Sequence, residues 1–358
     1  MENKSKKIGV VGVGAVGSYI GAFLSREGYD VTLIDMWGTH VELMDHRGLR
    51  VTGCQGDFTV PVNAVHFSDA INVPDKFDVI LLAVKSYDTE WATYFSKRFL
   101  ADDGFIVSNQ NCMNDSLIGE IVGYSRVVGC VMSSITVALW DPGEVNRGGR
   151  PGLESGHDVF RVGELNGKIT SRVEELVSIF SCIDGSKVTT NLWGERWSKL
   201  TTNAATNPIT AMTGLGVSSV AAYSEARYMQ IQISKESCQV ALAHNYQVEP
   251  IKGIPATEWA SADKGSTLEK LDEKFLPDND RGEWKSSMSQ DVEKGRRSEI
   301  LFMNGYIAEQ GLRVNVPTPF NTAITKIVRD IDDGHRDADP SNVNEVLKLA
   351  AKLSSQSH

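Results

Sequence analysis

Residues 12–17 read Gly-Val-Gly-Ala-Val-Gly, a GxGxxG that directly follows the apolar run KIGVV (7–11) and opens a helical pattern over 15–27. In that context each glycine has a task. The first permits a tight turn, the second lets the backbone approach a pyrophosphate, and the third lets helix and strand pack closely. The amides of the first helical turn lack intrahelical partners and carry the positive end of the dipole, so they suit phosphate. Gly12, Gly14, Ala15, Val16 and Gly17 are therefore the expected dinucleotide contacts. The same stretch, 8–24, is apolar and follows the basic KSKK, as a secretory leader would. Its recurrent glycines make a poor apolar helix, which favours the nucleotide reading.

Asp35 closes the next strand, DVTLID (30–35). A carboxylate there accepts hydrogen bonds from an adenosine ribose and favours NAD; it would otherwise cap the following turn. No Lys or Arg occurs in 36–46, where the 2′-phosphate of NADP would need one. Further apolar runs at 77–85, 104–111 and 126–139 alternate with helical patterns at 40–48 and 87–99, and 49–53 and 58–66 read as an antiparallel pair. Such alternation predicts an α/β fold with a Rossmann-type doubly wound sheet. Beyond about 187 the helical period dominates, at 192–213, 218–246, 287–311, 320–332 and 341–353. The expected division is a dinucleotide-binding domain over 1–188 and an all-helical substrate domain over 189–358. Residues 249–283, rich in Pro, Gly, Asp and Lys, read as a surface excursion, with Trp259 inside it and Trp284 at its end either packed in a core or interface or lining the cleft.

Composition narrows the function classes. A net charge of −10 over 358 residues opposes nonspecific nucleic-acid binding, which needs a basic footprint. Five scattered cysteines without a CxxC pair indicate neither a disulfide framework nor a zinc cluster, and fit a reducing, cytoplasmic setting. The seven histidines form no metal-ligand spacing, so no metal is expected. No stretch reaches the length of a membrane span.

The second half carries two anomalies. Lys199, Asn203 and Asn207 recur at i, i+4 and i+8, on one helix face that drifts about 40° per step. Asparagine is a poor helix former, so its double use implies hydrogen-bonding work. Pro208 then predicts a kink or break. Glu299 shares a helical stripe with Val292, Met303 and Tyr306, and a carboxylate in an apolar stripe is paired or functional. Ser286 and Ser287 stand at a helix start that can hold an anion. The histidines, His40 and His244 among them, need only turn, cap or packing roles.

Together these segments resemble the ketopantoate reductase (2-dehydropantoate 2-reductase) family over nearly the whole chain. The motifs are AVKSYDT (83–89), SNQNCMND (108–115), ERWSKLTTNAATNPITA (195–211), SSMSQD (286–291), SEILFMNG (298–305) and VPTPFN (316–321). The resemblance implies an NAD(P)-dependent oxidoreductase with Lys199 as catalytic lysine and Glu299 as active-site glutamate. It implies Asn203, Asn207 and Ser287 as substrate contacts, and Lys85 and Asn111 beside the nicotinamide and its ribose. A small 2-keto acid as substrate and a homodimer follow as expectations, with cofactor and substrate meeting in a cleft between the domains. The chain departs from the family at Cys112, where a glycine is usual, and at Asp35, since the family habit is NADPH. Two other readings stay open: a different 2-keto or 2-hydroxy acid as substrate, and a non-catalytic dinucleotide sensor.

Overall fold

The computed structural model describes residues 6–73, 76–277 and 283–356. The chain divides into two units, Met1–Leu192 and Trp193–His358.

The first unit runs β1 (Lys7–Val11), α1 (Ala15–Arg26), β2 (Asp30–Asp35), α2 (Gly38–Arg47), β3 (Leu49–Gly53), β4 (Phe58–Val60), β5 (Asn63–His66), β6 (Phe77–Leu82), α3 (Thr89–Phe99) and β7 (Leu100–Ser108). It continues with α4 (Asp115–Val122), β8 (Val127–Met132), β9 (Thr136–Ala138), β10 (Glu144–Gly148), β11 (Phe160–Glu164), α5 (Ser171–Ser181) and β12 (Ser186–Val188). Eight strands form the main sheet in the order β12-β11-β8-β7-β6-β1-β2-β5. Only the β8–β11 pair among them is antiparallel. Successive residues alternate between two buried clusters. Val10, Leu33, Val79 and Leu81 lie in one, and Val11, Ile34, Ile80 and Leu82 in the other. A sheet buried on both faces is what continuous apolar runs encode.

Two expectations fail in detail. Residues 58–66 do not form one strand. β4 pairs antiparallel with β3, as expected, but β5 joins the main sheet parallel to β2. Pro61 separates them, since it has no amide hydrogen for a ladder. Residues 126–139 also split, between β8 of the main sheet and β9 of a second sheet ordered β4-β3-β10-β9. Ser134, with φ of 56°, sits at the turn between them.

The second unit runs α6 (Leu192–Thr213), α7 (Val217–Ala222), α8 (Ser224–Ala243), α9 (Ala256–Trp259), α10 (Thr267–Asp272), α11 (Ser287–Glu293), α12 (Asn304–Arg313), α13 (Pro319–Asp332) and α14 (Asn342–Gln356). Among its described residues it is helical, with one isolated bridge between Ile251 and Ile254. The 249–283 segment has its own apolar cluster. Ile251, Ile254, Ala256, Trp259, Leu271 and Phe275 pack with Ile231 and Cys238 of α8. Trp259 is therefore a core residue, fully buried, with its indole N–H donating to the Ile251 carbonyl at 3.2 Å. Residues 278–282 of that segment lie outside the described residues. Among those described, no helix is long and apolar enough to cross a membrane.

Candidate active site

In the first unit, three loops leave the carboxyl ends of adjacent strands β7, β6 and β1. Backbone bonds extend the sheet into them: Gly12 N–H to Ile34 O at 3.0 Å, Ala83 N–H to Val11 O at 2.9 Å, and Asn109 N–H to Leu82 O at 2.9 Å. Gly12 has φ of 88°, and a Cβ there would stand 2.6 Å from the Val84 side chain. A Cβ on Gly17 would meet the Gly12 carbonyl at 2.1 Å. At Gly14 a Cβ would meet nothing within 4 Å. The first and third glycines thus serve packing inside the protein. The second is exposed and leaves an open cradle beside Ala15 and Val16 at the start of α1, which no side chain caps. Free first-turn amides above an open glycine fit a pyrophosphate.

Asp35 caps the turn that follows its strand. Its Oδ2 accepts from the Val13 amide at 2.5 Å, and its Oδ1 from Trp37 N–H at 2.9 Å. An ionised carboxylate offers about four acceptor positions, so two remain for ribose hydroxyls. His40, expected only near a turn, is fully buried beneath the glycine loop. Its Nδ1 accepts from Gly143 N–H at 2.8 Å, so Nε2 carries the proton toward Ser18 Oγ, 3.1 Å away. Ser18 in turn donates to the Val13 carbonyl at 2.9 Å. Burial lowers the His40 pKa from its ordinary 6.5.

Lys85 and Asn111 stand half-buried on the β6 and β7 loops. Two residues that sequence reasoning missed tie these loops together. Gln110 donates to Val84 O at 3.0 Å and to Thr89 Oγ1 at 2.8 Å; Asn114 donates to Ser86 Oγ at 3.1 Å and Asn111 O at 2.9 Å. Their signal was present in the amide-rich SNQNCMND itself. Cys112 adopts φ of 67° and is buried. The glycine-like backbone is thus kept with a side chain attached.

In the second unit α6 carries the polar row. Asn203 and Asn207 are each 7% exposed and Lys199 is half-buried, on a helix whose Trp197, Leu200 and Ala204 are core. The expected break at Pro208 does not occur; the helix continues to Thr213. Ser286 caps α11 by accepting from Ser289 N–H at 3.1 Å. It also accepts from Thr210 Oγ1 at 2.7 Å and donates to the Asn207 carbonyl at 3.3 Å. The buried Ser286 thereby pins the start of α11, where Ser287 is half-exposed, to the Asn207 turn.

Glu299 is buried, but no continuous 287–311 helix carries it. Gly295, at φ of 62°, ends α11, and Arg296 N–H reaches back to Asp291 O at 2.8 Å. That is a Schellman-type closure. Glu299 instead precedes a short 3-10 turn, Ile300–Phe302. Its neighbour Ser298 is anchored to Asp332 at the end of α13 through Oγ (2.7 Å) and N–H (3.2 Å). The stripe shared with Val292 is therefore not helical, whereas the burial inferred from it is real.

The "Ketopantoate reductase PanE/ApbA" profile matches residues 8–157, and "Ketopantoate reductase PanE/ApbA C terminal" matches 191–332. The 2-dehydropantoate 2-reductase of Pyrococcus horikoshii is 29% identical over 328 residues, covering 90% of this chain and 96% of its own. That of Aquifex aeolicus is 29% identical over 323 residues, covering 89% and 95%. Among solved structures, the ketopantoate reductase of Ralstonia eutropha JMP134 superposes with a TM-score of 0.74 at 26% identity, covering 92% and 99%. D-mandelate dehydrogenase with NADH and anilino(oxo)acetate shares the fold, with a TM-score of 0.77 at 21% identity and coverage of 92% and 98%. With both units matched in order along the chain, the protein belongs to the ketopantoate reductase PanE/ApbA family.

Proposed function

We propose that the protein reduces ketopantoate to pantoate, using NADH in preference to NADPH. The broader class, an NAD(P)-dependent oxidoreductase acting on a 2-keto acid, is that of its family. The observation that supports the finer reading is the polar row on one face of α6, with Asn203 and Asn207 buried and Lys199 half-buried one turn before them. A cation followed at one-turn spacing by two carboxamides offers one proton donor and two groups that both donate and accept, a set suited to the oxygens of a small keto acid.

The reduced nicotinamide, when bound, supplies a hydride to the keto carbon. What the chain must add is a proton at the developing alkoxide and a grip on the substrate. Lys199 is assigned the proton: its ammonium donates to the carbonyl oxygen as that oxygen gains charge. Glu299 orients the ammonium or accepts a substrate hydroxyl. Asn203, Asn207 and Ser287 hold the remaining oxygens. Gly12 to Gly17, Asp35, Lys85 and Asn111 hold the cofactor.

The preference for NADH rests on Asp35. Its carboxylate is fixed by two backbone amides, and a 2′-phosphate beside it would meet charge repulsion with no Lys or Arg in 36–46 to offset it. Initial rates with ketopantoate and each cofactor test both parts. Fast turnover with NADH is expected. Faster turnover with NADPH would overturn the role of Asp35. Cofactor binding without turnover would overturn ketopantoate and turn attention to other 2-keto acids, or to 2-hydroxy acids oxidised with NAD. A homodimer belongs to the same proposal and is read by light scattering.

A further inference from the structure

Pro208 lies inside α6 and has no amide hydrogen, so the carbonyl of Ala204 lacks the i+4 donor that any other residue at 208 would supply. A side chain fills the gap. Asn304, the first residue of α12, donates through Nδ2 to Ala204 O at 3.1 Å. The same nitrogen donates its second hydrogen to Asn321 Oδ1 at 3.1 Å. Asn321, in the first turn of α13, donates through Nδ2 to Glu236 Oε2 at 2.7 Å and through its backbone N–H to the same oxygen at 2.9 Å. Phe320 N–H reaches Glu236 Oε1 at 2.9 Å. Glu236 belongs to α8, and all three polar side chains are at most 3% exposed.

This chain has a direction. A carboxamide can be turned either way, but both oxygens of Glu236 accept from backbone N–H groups, of Phe320 and of Asn321, so this carboxyl stands as the acceptor. Glu236 therefore draws the nitrogen of Asn321, which leaves its oxygen for Asn304. Asn304 in turn presents nitrogen both to Asn321 and to Ala204. Asn304 and Asn321 lie in SEILFMNG and VPTPFN, two segments of the family resemblance whose asparagines have no part in the chemistry above.

We propose that Asn304 is a positioning residue of the active site. By completing the rung that Pro208 breaks, it holds the turn of Asn203 and Asn207 in register with Lys199, and Asn321 and Glu236 orient it. It touches no substrate. A packing role alone would be served by an apolar side chain, without a buried polar chain across four helices. The inference rests on the reading that Lys199, Asn203 and Asn207 serve the substrate.

The test is a pair of substitutions. Asn304→Leu keeps the volume and removes the donor. It should lower kcat by about tenfold or more, with the KM for NADH unchanged, because small misplacements of catalytic groups are costly. Adding Pro208→Ala supplies an amide hydrogen to Ala204 O, and kcat should return to within about twofold of the Pro208→Ala enzyme. An unchanged kcat in Asn304→Leu, or a loss that Pro208→Ala does not repair, overturns the proposal. If Asn304→Leu alone does not fold, the double variant against Pro208→Ala still decides: near-equal kcat supports it, and a tenfold deficit overturns it. Amide exchange across 201–210 provides a readout without turnover. It should quicken in Asn304→Leu and recover in the double variant, and unchanged exchange overturns the proposal. If the wild type turns over no 2-keto acid, the functional reading fails while exchange still judges Asn304.

Discussion

At the residue scale, the glycine loop separates folding from binding within six positions. Gly17 cannot carry a Cβ, because one would lie 2.1 Å from the Gly12 carbonyl, whereas Gly14 faces open space. Gly17→Val should therefore cost about 3 kcal/mol or more of stability through overpacking. Gly14→Val should cost no more than about 1 kcal/mol, the difference between glycine and valine at an N-cap. The same variant should weaken NADH binding by about tenfold or more, since its side chain fills the pyrophosphate cradle. Urea unfolding and fluorescence titration with NADH distinguish the two. All three glycines were legible in the sequence. Which of them faces inward was not, because that depends on where Val84 and the Gly12 carbonyl come to rest.

At the element scale, the second unit is organised by helix ends. Ser286 joins the start of α11 to the Asn207 turn of α6 through one hydroxyl. Ser286→Ala should lose about 1–2 kcal/mol, as buried caps do. It should also raise the KM for the keto acid several-fold while the affinity for NADH is unchanged, as urea unfolding and steady-state kinetics would show. Helices α13 and α14 were legible from period alone, since each buries one stripe, and α6 was legible as a long helical run although it is buried on most sides. The 287–311 run was not, because Gly295 closes α11 and a 3-10 turn precedes α12. Pro208, read as a kink or a break, does not break α6. Its local penalty is met by Asn304, nearly a hundred residues away, and no local rule reports that.

At the scale of the whole molecule, the two units should respond oppositely to pH. Burial pushes the Glu236 carboxyl up to about 7, against three N–H donors that favour its charge. A carboxyl raised in this way binds its proton more tightly when folded. Its contribution is complete below the ordinary 4.5 and is lost as pH rises through about 7. The loss is on the order of 3 kcal/mol. His40 is lowered from 6.5 by burial, so the first unit loses stability as pH falls below that value. Amide exchange at pH 5.5 and pH 8, corrected for intrinsic rates, should show the second unit more protected at the lower pH and the first unit less. Glu236→Gln should flatten the response of the second unit.

What the sequence determined by itself is what local periodicity and spacing encode. That includes the order of most strands and helices of the first unit, the nucleotide loop, the helical second half and the polar row at 199, 203 and 207. What only the tertiary structure decided is pairing at a distance. β5 lies beside β2 instead of β3, Trp259 lies in a core of its own, and His40 lies under the glycine loop. The physical reason is the same in each case. A residue's period records which face it turns inward, but its hydrogen-bond partner is set by where the rest of the chain has packed.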